Sequence, residues 1–315
     1  MTAIEFLQID FPAMLAAGLA GVICGLLGNL LVLRRQSLMG DAIAHAVLPG
    51  IVISFLLTGA LGATTVLLGA TVSAIVAVVL IEGVRRFGVV EPGASMGVVF
   101  TLMFAIGIVL VSVFGADNVH LEPEHILFGQ LENIVWLDAS GWSDVLSVER
   151  LLTLPSEVLL LGGVLVMTVG FITVLSKELK VTSFDPSFAS AAGLPVMVIH
   201  FALMIMVAVA TISAFTSVGS ILVIGLLVCP AATARLLTDC YQWQMRLSAL
   251  FGLLASLGGY TLGSLVPLYL QLDFSLSASG MIAVFAGLMV VVAALVSLRR
   301  RNQVIYEFNP DQAGQ

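Results

Sequence analysis

Nine stretches of about twenty apolar residues follow one another along the chain, near 11–33, 38–57, 61–81, 95–114, 157–176, 196–216, 218–237, 247–267 and 277–298. This is the feature that most constrains the fold. About 20 apolar residues in a helix match the ~30 Å hydrocarbon thickness of a bilayer. None of the runs shows the in/out alternation of a barrel strand. The expectation is an all-α polytopic membrane bundle of eight or nine spans. The stretch 38–57 carries Pro49 and Gly50 and should bend. The long stretch 196–237 should break at Thr216–Gly219.

Composition agrees. Of 315 residues, 60% are hydrophobic and 10% charged, and the mean hydropathy is +1.14. Soluble domains are nearer 45–50% apolar and about 25% charged. A soluble enzyme, a secreted disulfide scaffold and a nucleic-acid binder are excluded. Cys24, Cys229 and Cys240 have no metal-ligand spacing. Glu5 and Asp10, with no basic residue before the first apolar run, do not read as a cleavable signal peptide.

Charge placement sets the orientation. If the segment after the first run is cytoplasmic, eleven of the twelve Lys and Arg fall on the cytoplasmic side, and only Arg150 falls outside. That bias puts the N-terminus outside and the C-terminus inside. The division is then a membrane domain over 1–301 and a polar cytoplasmic tail over 302–315. An acidic external loop covers about 115–157; its acids either draw cations toward the membrane or are simply unselected there. Gly18, Gly21, Gly25 and Gly28 recur at helical spacing in the first run and make a face for close helix packing.

On these boundaries Asp41 is the single acid inside the membrane. His45 follows at i+4, so the two side chains share a helical face. At 1.5 Å per residue from Arg34, Asp41 lies at most ~10 Å and His45 ~16 Å into the membrane. An intramembrane carboxylate is costly and marks an ion path, a cavity or a partner. A carboxylate with an imidazole is half a site for manganese, iron or zinc, and a two-fold dimer would complete it. Metal needs the deprotonated imidazole, so acid should weaken such a site. A structural Asp–His pair, or Asp41 as an N-cap, fits the same residues. His200 lies near the cytoplasmic mouth, either packed or an accessory ligand. His120 and His125, in the acidic loop, either collect metal or sit solvated.

Residues 182–195 read TSFDPSFASAAGLP. Asp185 is a good N-cap, Pro186 suits the first helical position and Gly193 suits C′. The short helix, about 185–193, suits docking into a soluble partner or lying on the lipid surface. No P-loop precedes either lysine, Lys177 or Lys180, and no HExxH is present. Energy must therefore come from a partner subunit or an ion gradient.

Three segments carry a resemblance: LVLRRQSLMGDAIAHAVLPGIVISFLL (31–57), SFDPSFASAAGLP (183–195) and VGSILVIGLLVCPAATARLLTD (218–239). They resemble the permease subunits of bacterial ABC importers for manganese, zinc and iron. VHLEPEHILFGQL (119–131) and the SFDP start look more like the manganese/iron branch. The resemblance implies a type II importer permease in the inner membrane, itself no enzyme and holding no permanent cofactor. It implies a cytoplasmic ATPase, an external metal-binding protein, and a second permease as homodimer or paralogous heterodimer. Asp41 and His45 match the metal path, with His120, His125 and His200 as accessory candidates. Asp185, Pro186, Phe188, Ala191 and Gly193 match the coupling helix. The stretch 132–157 and the tail are longer than in many members. A stand-alone proton-coupled carrier for divalent metals is the alternative.

Overall fold

The structure is a computed structural model and describes residues 3–59, 63–114, 131–139, 141–142, 144–269 and 277–308. Among the described residues there are nine helices long and apolar enough to cross a membrane. In order they are Phe6–Leu33, Met39–Thr58, Thr65–Phe87, Pro92–Phe114, Ser156–Val174, Val196–Val218, Ser220–Leu237, Tyr241–Tyr269 and Ala278–Leu298. They are called here the first to ninth spans. The protein is a multi-pass integral membrane protein. The ninth helix continues to Phe308, so the tail leaves the membrane as helix.

The breaks have local causes. Pro49 lacks an N–H, so the second span divides at Val47 into Met39–Ala46 and Leu48–Thr58. Gly219, at φ +90, separates the sixth span from the seventh. The third span runs on to Phe87 rather than stopping at 81, which draws Glu82, Arg85 and Arg86 into the helix.

The first span is the centre of the bundle. About 72% of its apolar window is buried, against 17% for the fourth and ninth spans, which present side chains such as Val109 and Val292 to lipid. The eighth span lies along it with the seventh, and the ninth packs behind these two. The second, third and fourth spans form a second group, joined to the first span through the sixth. Between helices in lipid, van der Waals contact must do most of what the hydrophobic effect does in water. The glycine face supplies it. A Cβ on Gly21 would strike the Gly252 carbonyl, and one on Gly28 would strike the Leu227 carbonyl. Beside them Ser248 Oγ donates to the Gly25 carbonyl at 2.5 Å.

The segment after 130 folds onto the N-terminal end of the first span. Trp136 is buried and its backbone N–H donates to the Gln8 carbonyl at 2.7 Å. Its indole N–H donates to Thr153 at 2.9 Å. Glu132 accepts from the Ala278 N–H at 3.2 Å and so satisfies an orphan donor at the start of the ninth span.

Candidate functional site

Asp41 and His45 meet as their spacing predicts. Asp41 Oδ1 lies 3.3 Å from His45 Nε2, and the two side chains are 32% and 34% exposed. They stand on an open face of the second span rather than in the core. Asp41 is no N-cap: the helix begins at Met39, with Leu38 as its cap residue. The imidazole lies against Phe100 and Phe104 of the fourth span, each ring centroid 5.7 Å away. Just beyond His45 the helix break is buttressed by the third span. Ser73 Oγ donates to the Ala46 carbonyl at 2.6 Å. Gly50 and Gly69 bring the two backbones so close that a Cβ on either would hit the other's carbonyl. Among the described residues no three His, Cys, Asp or Glu side chains gather as a metal cluster.

Asp41 is not the only acid within the spans. Asp10, in the first, is buried and accepts from Tyr260 Oη at 3.0 Å. Glu82, near the C-terminal end of the third, is buried and joins Arg85 Nη2 at 2.7 Å, Arg86 Nε, and His200 Nε2 at 3.3 Å. His200 Nδ1 in turn lies 3.4 Å from Arg34 Nη1. Arg34 also donates to Thr182 Oγ1 at 2.8 Å and Ser183 Oγ at 3.0 Å. Burial pushes Arg34 down to about 10, still a cation at neutral pH. His200 is thus held between Glu82 and Arg34 in a buried polar network. The i,i+3 and i,i+4 spacing of Glu82 to Arg85 and Arg86 was a visible signal; its link to His200 was not. His120 and His125 lie outside the described residues.

The short helix between the fifth and sixth spans is capped as the sequence predicts. It spans Pro186–Ala191, and Asp185 Oδ1 accepts from the Phe188 N–H at 2.9 Å. Gly193, at φ +79, closes a Schellman turn: its N–H reaches Ser190 O at 3.0 Å, and the Leu194 N–H reaches Ala189 O at 3.0 Å. Ala189 is buried beneath, while Phe188 is 61% exposed and Ala191 and Ala192 face outward. A second helix, Ser176–Phe184, carries this one away from the fifth span. Gly93–Gly97 has the Gly-x-Ser-x-Gly spacing of a nucleophile elbow, but Ser95 is buried inside a helix and donates to the Pro92 carbonyl at 2.8 Å. An elbow needs a sharp strand-to-helix turn that exposes its serine.

A bundle of membrane-spanning helices, with an acid–imidazole pair on its broken second span and a capped short helix beyond the fifth, has the build of a transport permease. Known proteins narrow the class. The profile of the ABC 3 transport family matches residues 4–297, and the chain belongs to that family. It is 39% identical over 279 residues to the manganese transport system membrane protein MntD of Bacillus subtilis (strain 168), covering 89% of each chain. It is 35% identical over 292 residues to the zinc transport system membrane protein TroD of Treponema pallidum (strain Nichols), covering 92% of this chain and 74% of that one. The solved structure of PsaBC from Streptococcus pneumoniae in complex with Fab aligns at TM-score 0.65 and 30% identity over 89% of each chain. A putative metal-chelate type ABC transporter in an inward-facing conformation shares the fold, at TM-score 0.65 and 16% identity, over 91% of this chain and 86% of that one.

Proposed function

We propose that this chain is the permease of an ATP-driven importer that carries a divalent transition metal across the bacterial inner membrane. Manganese is the first candidate and zinc the next, after the relatives' names. The observation that carries the reading is the Asp41–His45 pair, 3.3 Å apart on an open face of a span. A carboxylate turned to lipid costs several kcal/mol, so this face belongs against water or protein. Asp41 offers a hard oxygen and neutral His45 a nitrogen, a set suited to manganese, iron or zinc. Two ligands hold a cation loosely enough for it to leave, as conduction requires. A second permease, identical or paralogous, supplies two more across a two-fold axis. ATP hydrolysis belongs to a separate cytoplasmic subunit that receives the Pro186–Ala191 helix, with exposed Phe188 as its apolar contact. An external binding protein delivers the metal.

The test is uptake into proteoliposomes containing the permease, its cognate ATPase and the binding protein. ATP-dependent manganese accumulation is expected, with zinc and iron run as competitors. Accumulation that persists without the ATPase would make the protein a stand-alone carrier. No uptake of any of the three metals would sink the reading.

A further inference from the structure

The basic residues at the cytoplasmic ends of the spans converge rather than spread. Arg34 and Arg35, Arg85 and Arg86, and Arg235 come from the ends of three different spans and line one cleft of about 660 Å³. Thr182, Ser183 and Pro186, on the segment that carries the docking helix, line it too. Topology explains why arginines lie on this side of the membrane. It does not explain their meeting at one concavity.

Nor are their charges balanced. Among the described residues, these five guanidiniums reach two carboxylates, Glu82, and Asp239 at 3.4 Å from Arg235. The polar partners of Arg34 are two hydroxyls and an imidazole nitrogen. Arg35 is exposed and has no ion pair among the described residues. Its φ of +57 holds it in the left-handed region that non-glycine residues seldom occupy.

We propose that this cleft binds a phosphate-bearing anion, either the headgroup of an anionic phospholipid or a soluble phosphate, through Arg34 and Arg35 with Arg235 as a further cation. Both sources offer the same chemistry, a tetrahedral oxyanion that guanidinium forks grip in pairs. A divalent metal cation does not suit the site, because the surplus guanidiniums repel it. The depth suits a headgroup: Arg34 directly follows Leu33, where the first span ends, and Arg86 precedes Phe87, where the third ends. Apolar Val32, Leu33 and Val196 line the same cleft. A bound anion would join the ends of the first and third spans to the docking segment. The site stands independently of which cargo the permease carries.

The test uses the full-length permease in nanodiscs. In one arm, native mass spectrometry counts phosphatidylglycerol retained from mixed phosphatidylglycerol/phosphatidylcholine discs. In the other, inorganic phosphate is titrated against chloride in phosphatidylcholine discs and thermal unfolding is read. Saturable binding in either arm is expected, and the arm that responds names the source. Arg35→Gln with Arg235→Gln changes two exposed side chains, so the fold is kept, as size-exclusion elution checks. It should weaken binding about tenfold or more, since two charge-assisted contacts to the phosphate are lost. Arg35→Lys, which keeps charge but loses the fork, should recover only part of it. Binding absent from both arms, or unchanged in the double variant, overturns the proposal.

Discussion

His200 of the sixth span and Glu82 of the third meet Nε2 to Oε2 at 3.3 Å, with 11% and 5% of their side chains exposed. Through Arg34 the same contact reaches the end of the first span, and Thr182 and Ser183 just before the Pro186–Ala191 helix. This end of the bundle is thus tied together by polar bonds, beyond the apolar packing of its middle.

Glu82→Gln keeps the shape and removes the charge that Arg85, Arg86 and His200 share. Arg85 and Arg86 keep 29% and 43% of their side chains exposed, so the loss should be about 1–3 kcal/mol, the cost of an unsatisfied buried polar group. The purified permease should unfold at a clearly lower temperature than wild type, while Glu91→Gln, at an exposed position, should match wild type. Equal midpoints for the two variants would show that the network does not hold the fold.

Asp41→Asn retains an oxygen but not the negative charge, and His45→Ala removes the nitrogen. Each should cut ATP-driven manganese uptake at least about tenfold, the factor that 1.4 kcal/mol of lost binding represents, while the permease still assembles with its ATPase. Wild-type uptake by both variants would make the pair structural.

Asp185→Ala removes the bond to the Phe188 N–H, a loss of about 1 kcal/mol for an N-cap. The six-residue helix should fray, and the permease should stimulate its ATPase less. Phe188→Ala and Ala191→Arg alter the exposed side of the helix without touching its caps, and should lower stimulation further. Undiminished stimulation in all three would place docking elsewhere.

Gly28→Ala should fail to give a folded, monodisperse permease, because its new Cβ meets the Leu227 backbone rather than a flexible side chain. Gly162→Ala, where nothing lies within 4 Å, should purify normally. Light scattering and yield distinguish the two. A normal Gly28→Ala protein would mean that the first and seventh spans can part without loss.

Much of this protein is legible along the chain because the properties concerned are local. Hydropathy adds up over about twenty residues, and a helix places i and i+4 on one face by its own geometry. Nine spans, the break at Pro49, the caps at Asp185 and Gly193 and the Asp41–His45 pair all follow from such short-range rules. So does the packing face of Gly18, Gly21, Gly25 and Gly28, though the sequence could not say that it meets Ser248, Gly252 and Leu227. Tertiary structure alone decided the rest. The apolar run stops at 81, but the third span continues to Phe87 and so turns Glu82 onto His200. Glu132 was one acid among several in a loop until it met the Ala278 N–H, 146 residues away. Arg34 and His200 are 166 residues apart, and Asp10 and Tyr260 are 250 apart. Nothing along the chain encodes such pairs, because a charge chooses its partner only after packing has decided which helix ends lie side by side and how much water remains between them.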